Sequence, residues 1–388
     1  MYLFHIPIIS SMVYIIFFYW PLSDKVIYIE SLHKNMSLDD NLEDEKISLD
    51  DGAGGEKMEK LIKEIFLPAF KSEQGEIPLE YLDDSAVVDD IVFTIDGHTV
   101  KPIFFPGGDL GKLAVAGTIN DLLSIGAKPV ALSSALVLPE GFSMSKLKRL
   151  IKSTAETSKE AKVPIVTGDT KVVEKEDLDE PIMTTSGIGK RHPLLDQNLE
   201  TAGGRKTRWL SDNNLNPGDD IILTGSVGDH GITVLSEREG YGFQGQIMSD
   251  VEPLVDVVHS ALGVGGIAAV KDPTRGGLAN ALNEWSSKSE IGIEVYEEKI
   301  PIKKWVSAAS EMLGIDPLSI GNEGKMIMAV NPHSTEKVLS AIKKTENGRH
   351  AAVIGKTTED IDRVVLKTEV GGARILEEPV GDPVPRIC

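Results

Sequence analysis

Carboxylates, a few lysines and one thiol are the groups in this chain whose types and spacing could do chemistry. Five acidic motifs stand at the ends of apolar stretches or inside one. Asp83-Asp84-Ser-Ala precedes a short apolar run, and Asp96-Gly-His98 follows Ile91–Ile95. Asn120-Asp121 interrupts an apolar helical pattern, Asp169-Thr170-Lys171 follows Ile165–Thr167, and Asp272-Pro-Thr-Arg275-Gly-Gly277 joins a strand pattern to a helical one. A mid-helix Asn-Asp lowers helix propensity and a buried, unpaired carboxylate costs far more, so compensating groups are expected. Several carboxylates without a complete protein cage suit magnesium held between protein and nucleotide phosphates; any one of them alone could be a cap or a turn. Gly52-Ala-Gly54-Gly55 precedes a helical pattern, an arrangement that aims free N–H groups at phosphate but also serves as a plain turn. It lacks the Gly-Lys-Ser/Thr of a P-loop. Lys171, and Glu323 in Gly321-Asn-Glu-Gly-Lys325, sit in glycine-bearing turns from which a side chain can reach a ligand or make a surface ion pair.

The histidines show no metal spacing, and His230 in Gly228-Asp-His-Gly231 reads as a satisfied structural residue, with a phosphate contact as the alternative. No Gly-x-Ser-x-Gly elbow is present. The only cysteine is the last residue, Cys388, which excludes an internal disulfide and a thiolate metal cluster. It ends the segment Pro379-Val-Gly-Asp-Pro-Val-Pro-Arg-Ile-Cys388, which should be extended and semi-rigid, spanning roughly 30 Å at about 3.1 Å per residue.

The elements that must position these groups alternate between strand and helix in two comparable halves, α+β or α/β. In the first half, the stripe Met58, Leu61, Ile62, Ile65, Phe66 and Ala69 predicts an amphipathic helix. Strands follow near Ala86–Val88 and Ile91–Ile95, then a helix from the N-cap Asp109 to Gly126. A strand near Val130–Leu138, a helix near Ser145–Lys162 and the strands Ile165–Thr167 and Ile182–Ile188 complete it. Residues 191–218 lack periodicity and carry the boundary. The second half has strands at Asp220–Leu223, Ile267–Val270, Ile291–Tyr296, Met326–Val330 and Ala352–Ile354. Its helices fall near Asp229–Arg238, Pro253–Leu262, Gly276–Ser287, Trp305–Leu313 and Thr335–Thr345. The domains expected are 47–195 and 205–378, with 379–388 as a mobile tail.

Residues 1–46 stand apart. Tyr2, Phe4, Tyr14, Phe17, Phe18, Tyr19, Trp20 and Tyr28 crowd a stretch with no charge before Asp24, and an acidic linker follows. The stretch reads as a membrane anchor on a stalk or as a dispensable extension with Met36 as an alternative start. The chain carries a formal charge of −20, from 60 acidic and 40 basic residues, which excludes a general nucleic-acid binder.

Together these motifs resemble the HypE family of hydrogenase maturation proteins, carbamoyl dehydratases of the aminoimidazole ribonucleotide synthetase / selenophosphate synthetase ATP-binding superfamily. The matching stretches are Gly52–Gly55, Leu82–Asp84, Thr94–Pro102, Phe105–Asp109, Asn120–Leu122, Val166–Lys171, Val227–Gly231, Asp272–Arg275, Asn322–Lys325 and Pro385-Arg-Ile-Cys388. They cover about residues 47–388, and the terminal tetrapeptide is the most specific. Asp51 departs from the family, which usually has His there.

The resemblance implies a two-domain fold whose N-terminal sheet pairs with that of a second subunit, with ATP in the cleft, in a cytoplasmic homodimer. It implies that the carbamoyltransferase HypF loads a carbamoyl group onto Cys388. ATP and Mg2+ then support its dehydration to a thiocyanate, and the HypC–HypD complex accepts the nitrile on iron. On that footing Glu323 is the leading proton acceptor, and Lys171 positions or polarises the thiocarbamate. Asp84 and Asp121, with Asp83, hold magnesium. Gly52, Gly54, Gly55, Asp96, Asp169, Thr170, Asp272 and Arg275 contact the nucleotide. The rival expectations are a selenophosphate-synthetase-like or small-molecule kinase, and a non-enzymatic nucleotide-binding adaptor.

Overall fold

Period-two alternation builds the first sheet. In the strand Ile91–His98, Val92, Thr94 and His98 turn inward, whereas Ile91, Phe93 and Ile95 are exposed. The structure is a computed structural model that describes residues 46–52, 54–70, 75–241, 247–381, 383–384 and 387–388. The sheet has five strands in the order Ala86–Val88, Ile91–His98, Ile182–Arg191, Ala127–Pro139 and Ile165–Val173. Neighbours are antiparallel except for the last pair, which is parallel and joined through the helix Met144–Ala161.

Against the inner face lies the helix Leu110–Ser124. Its N-cap is Asp109, whose carboxylate accepts from Gly111 N (2.9 Å) and Lys112 N (3.0 Å). This helix is apolar nearly all round and buried nearly all round, because the second half covers the side that the first sheet leaves open. Val115, Ile119 and Leu122 share one core with Val257, Val258, Met326 and Met328.

The second sheet has seven strands in the order Ala373–Ile375, Val364–Lys367, Gly292–Tyr296, Ala352–Thr358, Asp220–Leu223, Ile327–Val330 and Ile267–Lys271. Its central strands are continuous apolar runs, and Ile327–Val330 and Ile267–Lys271 are buried on both faces. One face packs on the shared core; the other packs on Leu278, Leu282 and Trp285 of the helix Gly277–Ser289. Ser48–Cys388 is a single unit.

Several expectations shift. The helix begun at Glu56 contains a π segment, Ile62–Phe66, and buries none of its residues, so the apolar stripe faces outward in part. The strand expected at Ile165–Thr167 runs on to Val173, so Asp169, Thr170 and Lys171 lie within it rather than beyond its end. Residues 191–218 are not irregular throughout. They contain the helix Leu195–Ala202, whose Asn198 brackets Ile267 through both N–H and C=O at 2.8 Å. Arg205 and Asp219 form a buried pair there, and buried Trp209 donates to Glu76. Buried hydrogen bonding, not exposure, explains the polar composition of this stretch. Four short strands, Phe104–Phe105, Gly108–Asp109, Val364–Lys367 and Ala373–Ile375, are not foreseen by the pattern. The anchor and extension expected within residues 1–46 fall almost wholly outside the described residues; among those described, no helix is long and apolar enough to cross a membrane.

Candidate active site

A cleft of about 490 Å³ opens between the two halves. One wall comes from the start of the first sheet and the helix behind it: Asp83, Asp84, Thr94, Asp96, His98 and Asp121. The other comes from the end of the strand Ile267–Lys271 and the helix after it: Lys271, Asp272, Arg275, Glu284 and Lys288. Glu323 and Cys388 close the space, with Gly54 and Gly55 at its mouth.

The local reasons are legible. Asn120 does not waste its place in the apolar helix, since its amide donates to Glu252 O (3.1 Å) and accepts from Leu254 N (2.9 Å), tying the halves together. Asp121, one residue on, turns to the cleft, where the Thr94 hydroxyl lies 2.9 Å from its Oδ2 and 3.0 Å from the carbonyl of Asp84. Asn322 explains its own motif: it accepts from Gly228 N (2.7 Å) and donates to Pro273 O (3.1 Å), clamping three turns around Glu323. Gly55 has φ 77°, and a Cβ there would meet Pro379 O at 2.1 Å, so only glycine lets the loop touch the start of the C-terminal segment.

The electrostatics are those of a site short of cations. Burial, with Asp96 and Asp272 nearby, pushes Asp121 well above the usual carboxylate range. Burial and Asp84 do the same for Asp272, and burial with Asp272 and Asp250 for Glu323. Burial and Asp212 push Asp83 up to about 8. Asp83 Oδ2, His98 Nε2 and Glu323 Oε1 are buried without a hydrogen-bond partner. These orphaned acceptors and the mutual repulsion fit a cation that the protein does not itself supply. Among the described residues, no three ligand-type side chains are placed to hold a metal by themselves.

The opposite wall is cationic. Lys271 Nζ lies 2.7 Å from Asp84, 3.1 Å from Asp212 and 3.0 Å from Glu284, and Lys288 lies 2.6 Å from Asp212. Burial opposes the charge on Lys271, yet Asp212, Asp84 and Glu284 together hold its pKa well above the ordinary lysine value. Asp212 also accepts from Trp285 Nε1 at 2.8 Å and stays well below the carboxylate range: burial opposes its charge, and the two lysines outweigh burial. The pKa of Arg275 is raised first by the charge of Cys388.

The structure thus brings Gly54, Gly55, Asp83, Asp84, Asp96, Asp121, Asp272, Arg275, Glu323 and Cys388 to one place. Gly52 is exposed and outside the cleft lining. Asp169, Thr170 and Lys171 do not join the site within this chain: they lie exposed on the strand Ile165–Val173 at the sheet edge. The C-terminal segment, expected as a mobile tail, ends with Val384 and Ile387 buried and the Thr99 hydroxyl 3.4 Å from Cys388 O. Sequence reasoning missed Thr94, Asp212, Glu284, Lys271 and Lys288. Lys271 adjoins the Asp272 motif, and Glu284 and Lys288 show helical i,i+4 spacing, but nothing local marked Asp212.

Residues 82–190 match the N-terminal domain of AIR synthase related proteins, and residues 216–367 match the C-terminal domain. A putative hydrogenase expression/formation protein of Methanocaldococcus jannaschii is 48% identical over 88% of this chain and 100% of its own length. The carbamoyl dehydratase HypE of Azotobacter vinelandii is 42% identical, over 87% of this chain and 96% of that protein. Among solved structures, a HypE–HypF complex contains a chain 42% identical with a TM-score of 0.75, covering 82% of this chain and 99% of that one. A HypE in complex with ATP is 38% identical with a TM-score of 0.71, covering 88% and 100%.

Proposed function

The chain belongs to the AIR synthase related family and, within it, to the HypE carbamoyl dehydratases, and from that premise we propose how its cleft divides the work. The enzyme uses ATP to dehydrate a carbamoyl group in hydrogenase maturation, and HypF is its partner. The group is carried on Cys388 and is dehydrated there to an enzyme-bound thiocyanate, whose nitrile is the source of a cyanide ligand for the HypC–HypD complex. One observation carries this assignment: the terminal Cys388 shares a cleft with Arg275, Glu323 and the carboxylate wall. A kinase for a free substrate fits less well, because the chain's own end fills part of that space.

Removing water from a thiocarbamate needs its oxygen made into a leaving group and two N–H protons accepted. ATP supplies the first by phosphorylating the oxygen, which departs as phosphate. Glu323 takes one proton and the departing phosphate takes the other; burial makes Glu323 a strong base once ionised, and Arg275 opposes its raised pKa. Lys271, Lys288 and Arg275 meet the phosphates, together with the N–H groups of Gly54 and Gly55. Asp84 and Asp121, with Asp83, Asp96 and Asp272 close by, hold Mg2+.

The first sheet exposes Phe93, Ile95 and Ile188, and its edge strand exposes Val166 and Val172. A second copy pairing there makes the homodimer and carries Asp169, Thr170 and Lys171 to a neighbouring cleft. The active unit is the two domains 47–195 and 205–378 with the tail 379–388, working in the cytoplasm. Mass spectrometry tests the reaction. With ATP and magnesium, the carbamoylated chain should lose one water, about 18 Da, at Cys388. Glu323→Gln should accept the carbamoyl group and keep it; loss of water at the normal rate in that variant removes Glu323 from the role of base.

A further inference from the structure

His230 is buried at the start of the helix Asp229–Glu239 and faces the C-terminal segment rather than the carboxylates. Its Nε2 lies 2.7 Å from the carbonyl oxygen of Ile387, and its Nδ1 lies 2.8 Å from Ser249 Oγ. The directions of these bonds are determined. A carbonyl only accepts, so Nε2 carries the hydrogen. Burial lowers the pKa of the ring against the opposing pull of Asp250, and in the neutral tautomer Nδ1 accepts from the Ser249 hydroxyl. The Ser249 oxygen in turn accepts from Val251 N at 3.1 Å. One oriented chain therefore runs from Val251 N–H through Ser249 and His230 to the last peptide bond of the protein.

The rest of the contact is shaped to match. The side chain of Ile387 is buried, and its Cδ1 lies 2.8 Å from where a Cβ on Gly321 would stand and 3.5 Å from one on Gly231. The two glycines thus leave room for the side chain beside the carbonyl that His230 holds. Phe105 packs edge-on against the imidazole, with ring centroids 5.4 Å apart. The segment that orients Ser249 also orients the base: Asp250 Oδ1 accepts from Glu323 N at 3.2 Å, and Glu252 N donates to Glu323 O at 3.3 Å. The held carbonyl and the proton acceptor are thereby referenced to the same four residues, 249–252.

We propose that His230, oriented by Ser249, is a positioning residue: it latches the peptide bond from which Cys388 hangs and so sets the place of the sulfur and its carbamoyl group relative to Glu323. The latch rests on the dehydratase assignment for its purpose but not for its existence. The single cysteine makes it measurable, because thiol labelling of the full chain reads Cys388 alone. A polymer-linked maleimide too large for the cleft reports release of the tail. His230→Leu keeps the bulk and loses the bond, and should label about five- to thirtyfold faster, as a lost buried hydrogen bond implies. His230→Gln places an amide N–H near the same carbonyl and should stay within about twofold of the parent.

On chains carbamoylated beforehand, His230→Leu should slow single-turnover dehydration at saturating ATP without raising the ATP concentration needed, and His230→Gln should restore the rate. Unchanged labelling in His230→Leu overturns the latch, as does a loss of ATP affinity equal to the loss of rate. If His230→Leu does not fold, Ser249→Ala carries the test: labelling about threefold or more faster supports the latch, and unchanged labelling overturns it. A parent chain that labels slowly yet never dehydrates would sink the assigned reaction and leave the latch standing.

Discussion

The two sheets are made of similar residues and used differently. Central strands of the C-terminal sheet, such as Ile327–Val330, are buried on both faces. The N-terminal sheet buries one face on the helix Leu110–Ser124 and exposes Phe93, Ile95 and Ile188 on the other, with its longest exposed strand at an edge. A sheet left with an open apolar face and an unprotected edge is a surface in want of a partner. The contrast separates two kinds of predicted functional residue: Asp272, just past a strand buried on both faces, lines the cleft, whereas Lys171 lies on the open edge, outside it.

The comparison breaks most visibly where the sheets meet. Lys271 ends the strand Ile267–Lys271 of the C-terminal sheet and pairs with Asp84 beside the open sheet. Lys271→Met leaves Asp84 without its cation, and Asp212 and Glu284 with Lys288 alone, and should cost about 3–5 kcal/mol, read from the urea midpoint. A smaller loss would mean that the ion network does not hold the halves together. Phe93→Asp with Ile95→Asp tests the open face. It should convert the dimer to monomer in sedimentation and abolish dehydration, while each chain's stability changes by only about 1 kcal/mol. A monomeric parent protein, or a dimer indifferent to both charges, would remove the partner from the account.

The smallest effect is in pH. Asp83 holds its proton to about pH 8 when folded, against an ordinary value of 3.8. Between those values the folded state binds more protons than the unfolded, so its contribution is full below 3.8 and is lost as pH rises through about 8. Thermal stability without ligand should therefore decline from about pH 5 to 8, by at most about 1.4 kcal/mol per unit for each such group. Magnesium with ATP should flatten the slope by replacing the proton, and an unaltered slope would argue against a cation among these carboxylates.

Much of the fold was legible because burial is periodic. Asp109 announces the helix it caps, and Asp220–Leu223 begins and ends where its apolar run does. The misses have physical causes. Val166 and Val172 look interior by type yet are exposed, because they lie on an edge strand, a position that the pattern does not reveal. Asn198, Arg205 and Trp209 sit in a polar, aperiodic stretch whose partners, Ile267, Asp219 and Glu76, are distant in sequence or cannot be inferred from spacing.

The inventory was settled by residue type alone: carboxylates at element ends, glycine turns, and a single thiol at the last position. Those features are covalent, and local spacing suffices to find them. Their convergence was not. Asp84, Asp272, Glu323 and Cys388 meet only because two halves pack on one apolar helix, and Asp212 acquires its role only from Lys271, Lys288 and Trp285. The last residues rest inside, where the carbonyl of Ile387 meets a histidine more than 150 residues away, through a hydrogen bond that no local pattern encodes.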